Sequence, residues 1–418
     1  MAELADVVVV GAGAAGLMAA VAAGRAGARV LIIEKNKKPG VKILMSGGSR
    51  CNITHNCDNL GIIKAFGPKG KFLHSALASF GTRDAVAFFE AAGVPTKVEE
   101  TGKVFPVSNR AHHVLEALVT EVEKAGGVFS FLEPCEVIEP TADGLDVVTP
   151  LRRIQSKAVI LTTGGQSFPK CGTTGDGYGF ARNLGHTIVP VRPALVPLAL
   201  REQWVAGLSG LTIPDVGLTL FEGEREIGKS RGSHLFTHHG ISGPAPLNLT
   251  RNEAGWNKPE ALTLAMDFLP SSPVQDVEAW IRDESIAHGK QLLSVVLSGR
   301  LPRGLADQVL AESGLPVDRR AAALSKEDRR KLVNNIKGLR CGILRDLGFE
   351  KAEVTSGGVN LREVDSRTMN SLKHPALYLA GEILDLDGPI GGFNFQSAWS
   401  TGWLAGTKAA RISCGCKS

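Results

Sequence analysis

Gly11, Gly13 and Gly16 stand in the spacing G-x-G-x-x-G directly after the apolar run Val7 to Val10, a combination suited to holding a phosphate. The run reads as a buried parallel strand and Gly11 as a tight turn. Gly13 would let a pyrophosphate near the backbone, and Gly16 would let the next helix pack closely on the strand. Ala14, Ala15 and Gly16 open that helix, whose free N–H groups and positive dipole end favour an anion. Alone, the pattern also fits a plain strand-turn-helix. The next apolar strand ends at Glu34, about 20 positions past the first glycine, where a carboxylate can accept hydrogen bonds from a ribose and repel a 2′-phosphate. Lys35 adjoins it as a further contact. Strand, glycine turn, helix, strand and acid together read as a dinucleotide-binding βαβ unit.

A second set of candidates lies in Lys42 and Ser46-Gly47-Gly48-Ser49-Arg50-Cys51-Asn52. The N–H groups of such a loop, with Lys42 and Arg50, can wrap a diphosphate or the edge of an electron-rich ring, although composition alone fits a surface loop. Cys51 and Cys57 are spaced C-x5-C rather than C-x-x-C, which disfavours a redox dithiol. The strand ending in Thr163-Gly164-Gly165 again allows close backbone approach, and by analogy with the fold Val137 would lie beside an adenine. Near the C-terminus a buried strand ends in Gly381-Glu382, with Asp385 beyond it. Gly391-Gly392 then opens a helix at Phe393-Asn394-Phe395-Gln396. This supplies a carboxylate for a polyol chain and a second helix N-terminus, which would stabilise the negative charge that a flavin's pyrimidine edge gains on reduction. The feature favours FAD over a nicotinamide. His238 and His239 are adjacent, so a strand would point them to opposite sides. No metal site is expected there, and a turn between β-elements is the favoured reading.

The elements that must position these residues suit an α/β chain. Its 418 residues exceed one compact core and imply two or three domains. Helical spacing runs from Lys71 to Gly93 and from Ala111 to Gly126. Short strands are expected over 128–148, β-rich sequence from Val191 to Leu269, helical patterning from Ser271 to Leu339, and strand-like sequence thereafter. A formal charge of +5 is too weak to suggest nucleic acid, whose binding needs clustered phosphate-neutralising groups. Seven cysteines in an odd, scattered set suit a reducing, cytoplasmic setting, with Cys414 and Cys416 in an unstructured tail. The uncharged stretch 7–24 is rich in Gly and Ala and follows Glu3 and Asp6, so it is read as neither signal nor membrane segment.

Taken together, Gly11 to Gly16, Lys42 with Ser46 to Asn52, Thr163 to Gly165 with Gly175-Asp-Gly-Tyr178, Leu235 to His238 with Ser242-Gly-Pro244, Gly357-Gly-Val359, and Gly381-Glu382 through Gln396 resemble the HI0933-like flavoproteins, also described as BaiN-like or aminoacetone-oxidase-like. Ser49 stands where that family more often has glycine, and Cys171 where it has a small polar residue. The resemblance implies a glutathione-reductase-type, Rossmann-like FAD domain from residues 1–190 and 340–418. Between these parts it implies an inserted β-domain, 191–270, and a small helical domain, 271–339. It also implies two-electron transfer at flavin N5 on a small organic substrate, with oxygen or NAD(P)H as the other redox partner. Substrate would enter beside the inserted domains, with His238 as polar contact or base. No nucleic-acid or membrane partner is expected. A flavin-dependent RNA-modifying enzyme and a non-enzymatic dinucleotide-binding protein are the alternatives.

Overall fold

The computed structural model describes residues 3–251, 256 and 258–413, so the Cys414-Gly-Cys416 tail lies outside the described residues. The chain divides into two compact units, Met1–Pro193 with Glu353–Ser418, and Ala194–Ala352.

The first unit begins as the glycine pattern dictates: strand β1 (Glu3–Val10), helix α1 (Ala14–Arg25), strand β2 (Val30–Glu34) and helix α2 (Val41–Ser49). Val7, Val8 and Val9 have no exposure at all, as apolar side chains of a strand covered on both faces must. β1 is central in a sheet that runs Val364–Asp365, Asn370–Ser371, Leu377–Leu379, Arg153–Leu161, β1, β2, Val128–Phe131. The core of this sheet is parallel and in step: Val10 lies level with Ile33 on one side and Leu161 on the other, and Leu161 lies level with Leu379. Helix α1 packs on the C-terminal helix Phe393–Ser413 through small residues. A Cβ on Gly402 would lie 2.3 Å from the Ala15 carbonyl oxygen, and one on Gly406 2.1 Å from that of Ala19.

The helical spacing over 71–93 resolves into two helices, His74–Ser79 and Thr82–Ala91, broken at Phe80-Gly81. Asp84 accepts the Gly81 N–H at 2.7 Å and starts the second helix, leaving the Phe80 carbonyl free for other donors. A small antiparallel sheet follows the α2 loop, built from β3 (Thr54–His55), β4 (Thr96–Val98) and β5 (Lys103–Pro106) in the order β3-β5-β4.

The second unit is a closed six-stranded barrel: Leu198–Leu200, Gly240–Ser242, Arg225–Thr237, Thr212–Glu222, Leu262–Asp267, Leu339–Asp346. The helices Val274–Ala287, Leu293–Leu297, Arg303–Glu312 and Lys326–Gly338 are an excursion between the last two strands, which pair from Thr263↔Gly342 to Met266↔Leu339. Strand-like sequence after 339 therefore belongs first to the barrel, and the chain re-enters the first unit at Glu353 rather than at 340. The β-rich and helical segments share one core, in which Phe236, Leu264 and Met266 lie with Leu305, Val309 and Ile336.

Candidate functional site

Because the parallel strands end in register, four of the stretches singled out by sequence leave the sheet at one edge. Gly11 follows Val10, Lys35 follows Glu34, Thr163 follows the strand ending at Leu161, and Gly381 follows the strand ending at Leu379. Parallel sheets bind ligands at this carboxyl edge. The glycine turn is set by close approach: a Cβ on Gly16 would lie 1.9 Å from the Gly11 carbonyl oxygen. Thr162 reinforces it, its hydroxyl bonding to the carbonyls of Val10 at 3.0 Å and Gly11 at 2.9 Å. Helix α1 starts at Gly13 with no side-chain cap and no acid in its first turn. A Cβ on Gly13 would meet nothing within 4 Å, so open space faces first-turn N–H groups that the helix itself cannot satisfy. Such a start fits a diphosphate.

Glu34 sits beside it with its carboxylate engaged on one side only. Oε2 accepts the Ala12 N–H and Oε1 the Asn36 N–H, each at 2.8 Å. Each oxygen keeps acceptor capacity for a ribose hydroxyl. The segment leading to Val137 passes this point, since Glu133 N–H bonds to the Glu34 carbonyl at 3.0 Å and Leu132 N–H to that of Asn36 at 3.2 Å. Val137 itself is half-buried at the start of strand Val137–Pro140. The Thr163 hydroxyl is buried and has no protein partner among the described residues, a group that a bound ligand could satisfy.

Most of the charged side chains expected to touch a cofactor are paired within the protein. Lys35 reaches Thr174 at 2.6 Å and pairs with Asp176. Lys42 pairs with Glu382 at 2.8 Å, and the other oxygen of Glu382 accepts the Thr355 N–H at 2.9 Å. Asp385 pairs with Lys69 at 2.7 Å. Arg50 bonds to Glu99 at 2.7 Å and lies 3.9 Å above the Phe105 ring. Ser46 turns back to the Ile43 carbonyl at 2.8 Å. The loop between these pairs is shaped by its backbone. Gly47, Gly48, Ser49 and Cys51 all have left-handed φ between 56° and 68°, and turns of this kind gather N–H groups into an anion-binding concavity. Ser49 keeps a left-handed φ of 65° without being glycine, at a cost of about 1 kcal/mol.

The C-terminal helix start is pinned by the residues that follow this loop. With its amide turned to satisfy both ends, Asn52 donates to the Thr54 carbonyl at 2.9 Å and accepts the Gly392 N–H at 3.0 Å. Trp399 Nε1 donates to the Ile53 carbonyl at 2.9 Å, and the Thr54 hydroxyl to Gln396 Oε1 at 2.6 Å. His55 Nδ1 lies 3.1 Å from the Gly391 carbonyl, and its ring stacks on Phe393 at 4.6 Å. Gly392, at φ 94°, runs so close to Thr54 that a Cβ would lie 2.5 Å from its backbone. Asn394 clamps the preceding turn, accepting the Gly388 N–H at 2.7 Å and donating to the Gly388 carbonyl at 2.9 Å. Gln396 is engaged within the protein. It is fully buried, and its amide is spent on Thr54, Ser400 and the Phe80 carbonyl freed by the helix break.

Cys51 is fully buried, and burial pushes its thiol up to about 12, so it is no thiolate near neutrality. Cys51 and Cys57 are both free. His238 and His239 are exposed in the turn between strands Arg225–Thr237 and Gly240–Ser242 of the barrel unit. The residues sequence reasoning missed are His55, Lys69, Glu99 and Thr355. His55 alone carried a signal, lying three positions past Asn52.

The sequence matches the HI0933-like protein Rossmann domain over residues 5–408, and the chain belongs to that family, whose class is the FAD-dependent oxidoreductases. It is 34% identical to the ribosomal RNA dihydrouridine synthase of Escherichia coli (strain K12), across 95% of this chain and 96% of that one. It is 31% identical to the 3-dehydro-bile acid delta(4,6)-reductase of Clostridium scindens, across 96% and 98%. Its fold is similar to that of 3-ketosteroid delta1-dehydrogenase from Sterolibacterium denitrificans, with a TM-score of 0.52 at 16% identity, covering 99% of this chain and all of that one.

Proposed function

We propose that the protein is an FAD-dependent reductase of a carbon–carbon double bond conjugated to a carbonyl, with the uracil ring of an RNA as the favoured substrate. The observation that carries the reading is the convergence of an uncapped α1 start, Glu34 and the ends of two further parallel strands at one sheet edge. When bound, FAD supplies a two-electron, hydride-equivalent donor and acceptor at its N5. In this reading the α1 N–H groups hold the diphosphate and Glu34 accepts from the adenosine ribose. The loop 46–52 and the Gly391-Gly392 helix start hold the ring.

The activities for which the two relatives are named share a chemistry. The C5–C6 bond of uridine is conjugated to a carbonyl, as is the Δ4 bond of a 3-oxo steroid, and each is reduced by hydride at the far carbon and a proton at the near one. The identity to the RNA-modifying relative supports the uracil reading over the steroid. It also revises the expectation of no nucleic-acid partner, which rested on a net charge of +5. Net charge reports on the whole surface, whereas reaching one base needs a local site. His238 is kept as a candidate polar contact for the substrate, and a cytoplasmic location suits the five cysteines that are free among the described residues.

The visible spectrum of the purified full-length chain is the first test, with flavin bands expected. A colourless preparation that takes up no added FAD would sink the proposal. Anaerobic mixing with NADH and NADPH then identifies the reductant, and reduced protein is offered unmodified ribosomal RNA or a 3-oxo-Δ4 steroid. Dihydrouridine in the RNA supports the favoured substrate, and oxidation by the steroid alone replaces it. A His238→Ala protein with unchanged kinetics on that substrate removes His238 from the site.

A further inference from the structure

The peptide group joining Gly391 to Gly392 is held at both of its polar ends. Its carbonyl oxygen lies 3.1 Å from His55 Nδ1, and its N–H donates to the Asn52 amide oxygen at 3.0 Å. The two flanking residues are glycines with φ of 124° and 94°, so no Cβ resists a turn of this peptide plane. The clamp supplies the resistance that side chains elsewhere would give. His55 is itself fixed, its ring stacked on Phe393 at 4.6 Å with planes 22° apart. On its other side a Cβ on Gly102 would lie 2.7 Å from Nε2, which leaves the ring little room to swing. Because the carbonyl can only accept, Nδ1 carries the proton.

We infer that His55 is a positioning residue for the flavin. By locking the Gly391–Gly392 peptide it fixes which backbone dipoles the C-terminal helix start presents. This rests on the FAD reading above. A helix start stabilises charge that appears on reduction only if its N–H groups are already oriented when that charge develops. A peptide free to turn over would average N–H against C=O at the same place, and reduced flavin would lose more binding than oxidised flavin. His55 touches neither substrate nor the reacting atoms; it acts through Gly391.

The test uses the full chain and FAD itself. His55→Ala is expected to weaken FAD about tenfold, the size of one lost hydrogen bond at its upper range. It should also lower the flavin midpoint potential. A tenfold loss in preference for the reduced form reads as about 30 mV in a two-electron couple. His55→Asn, which keeps a donor near the Nδ1 position, should recover most of both, whereas His55→Phe, which keeps only the stack, should not. Asn52→Ala added to His55→Ala should cost much less than the sum of the two single changes, since one release already frees the peptide. An unchanged potential in His55→Ala overturns the inference, even with weaker binding, because a purely structural role predicts that result. Recovery by Phe but not by Asn overturns it as well. If His55→Ala fails to fold, the Asn and Phe variants decide on the same two readouts. Wild-type protein that takes up no FAD ends the functional reading itself. Wild type that binds FAD while His55→Ala matches it in affinity and potential ends only this inference.

Discussion

The two helix starts of the first unit are made by opposite means. Helix α1 itself has no side-chain cap: glycines at 11 and 16 bring strand and helix into contact, and the side chains of Glu34 and Thr162 brace only the turn before it. The C-terminal helix start is set by side chains from another part of the chain, with Asn52, Ile53, Thr54 and His55 each making a bond to residues 391–399. A start built mainly from backbone is encoded by one short consecutive stretch. A start held by side chains is specific to this protein, and each of its bonds can be tuned without touching the other start.

That contrast can be broken by mutation, and the largest effect belongs to the backbone-built side. Gly16→Val would drive a side chain into the Gly11 carbonyl oxygen, 1.9 Å from the new Cβ. We expect a loss of about 3 kcal/mol or more in urea unfolding, with FAD uptake lost too. On the side-chain-built side, Gln396→Leu would leave the Thr54 hydroxyl without its acceptor in a buried place, while Ser400 still donates to the Phe80 carbonyl. This should cost about 2 kcal/mol, and a variant as stable as wild type would show that the second start does not depend on its bolts.

Gly13→Ala separates folding from binding. Its Cβ meets no protein atom within 4 Å, so the urea midpoint should stay within about 0.5 kcal/mol of wild type. FAD titration, in contrast, should show affinity lower by about tenfold or more, or 1.4 kcal/mol, because the methyl fills the space kept for the diphosphate. Equal affinity would mean the ligand does not lie at α1.

The barrel unit supplies the smallest effect and a control. His234 is fully buried, neither ring nitrogen has a partner among the described residues, and burial pushes it down to about 3. The folded form keeps it neutral while the unfolded form takes up a proton below about 6.5. Stability is therefore full at higher pH and falls as pH drops from about 6.5 toward 3. Between pH 8 and pH 6 the loss should be about 1 kcal/mol, and His234→Leu should remove that slope in urea titrations.

What was legible in the sequence follows the same division. Gly11 to Gly16 and Glu34 could be read because strand, turn, helix and acid are consecutive, and local spacing encodes their geometry. The Gly391-Gly392 start could be located but not explained, since its partners lie some 340 positions earlier and no periodicity links them. For the same reason Lys42, Asp385 and Gln396 were read as ligand contacts. Their protein partners, Glu382, Lys69 and Thr54, lie far along the chain and leave no mark in the local spacing. The return to the first unit was placed at 340 because strand Leu339–Asp346 has strand-like sequence whichever sheet it joins, and its pairing with Leu262–Asp267 is a tertiary fact.

The crossing of α1 with the C-terminal helix has a consequence for how the protein is made. Its contact surface is bare glycine and alanine, so nothing earlier in the chain offers a substitute for Gly402 and Gly406 against the carbonyls of Ala15 and Ala19. On the ribosome, α1 (Ala14–Arg25) precedes its partner Phe393–Ser413 by a wait on the order of tens of seconds at ordinary elongation rates. During that interval the face of α1 that meets the C-terminal helix has no native cover, and the second helix start does not yet exist. The nascent chain should therefore become able to retain a cofactor only once the helix Phe393–Ser413 has emerged.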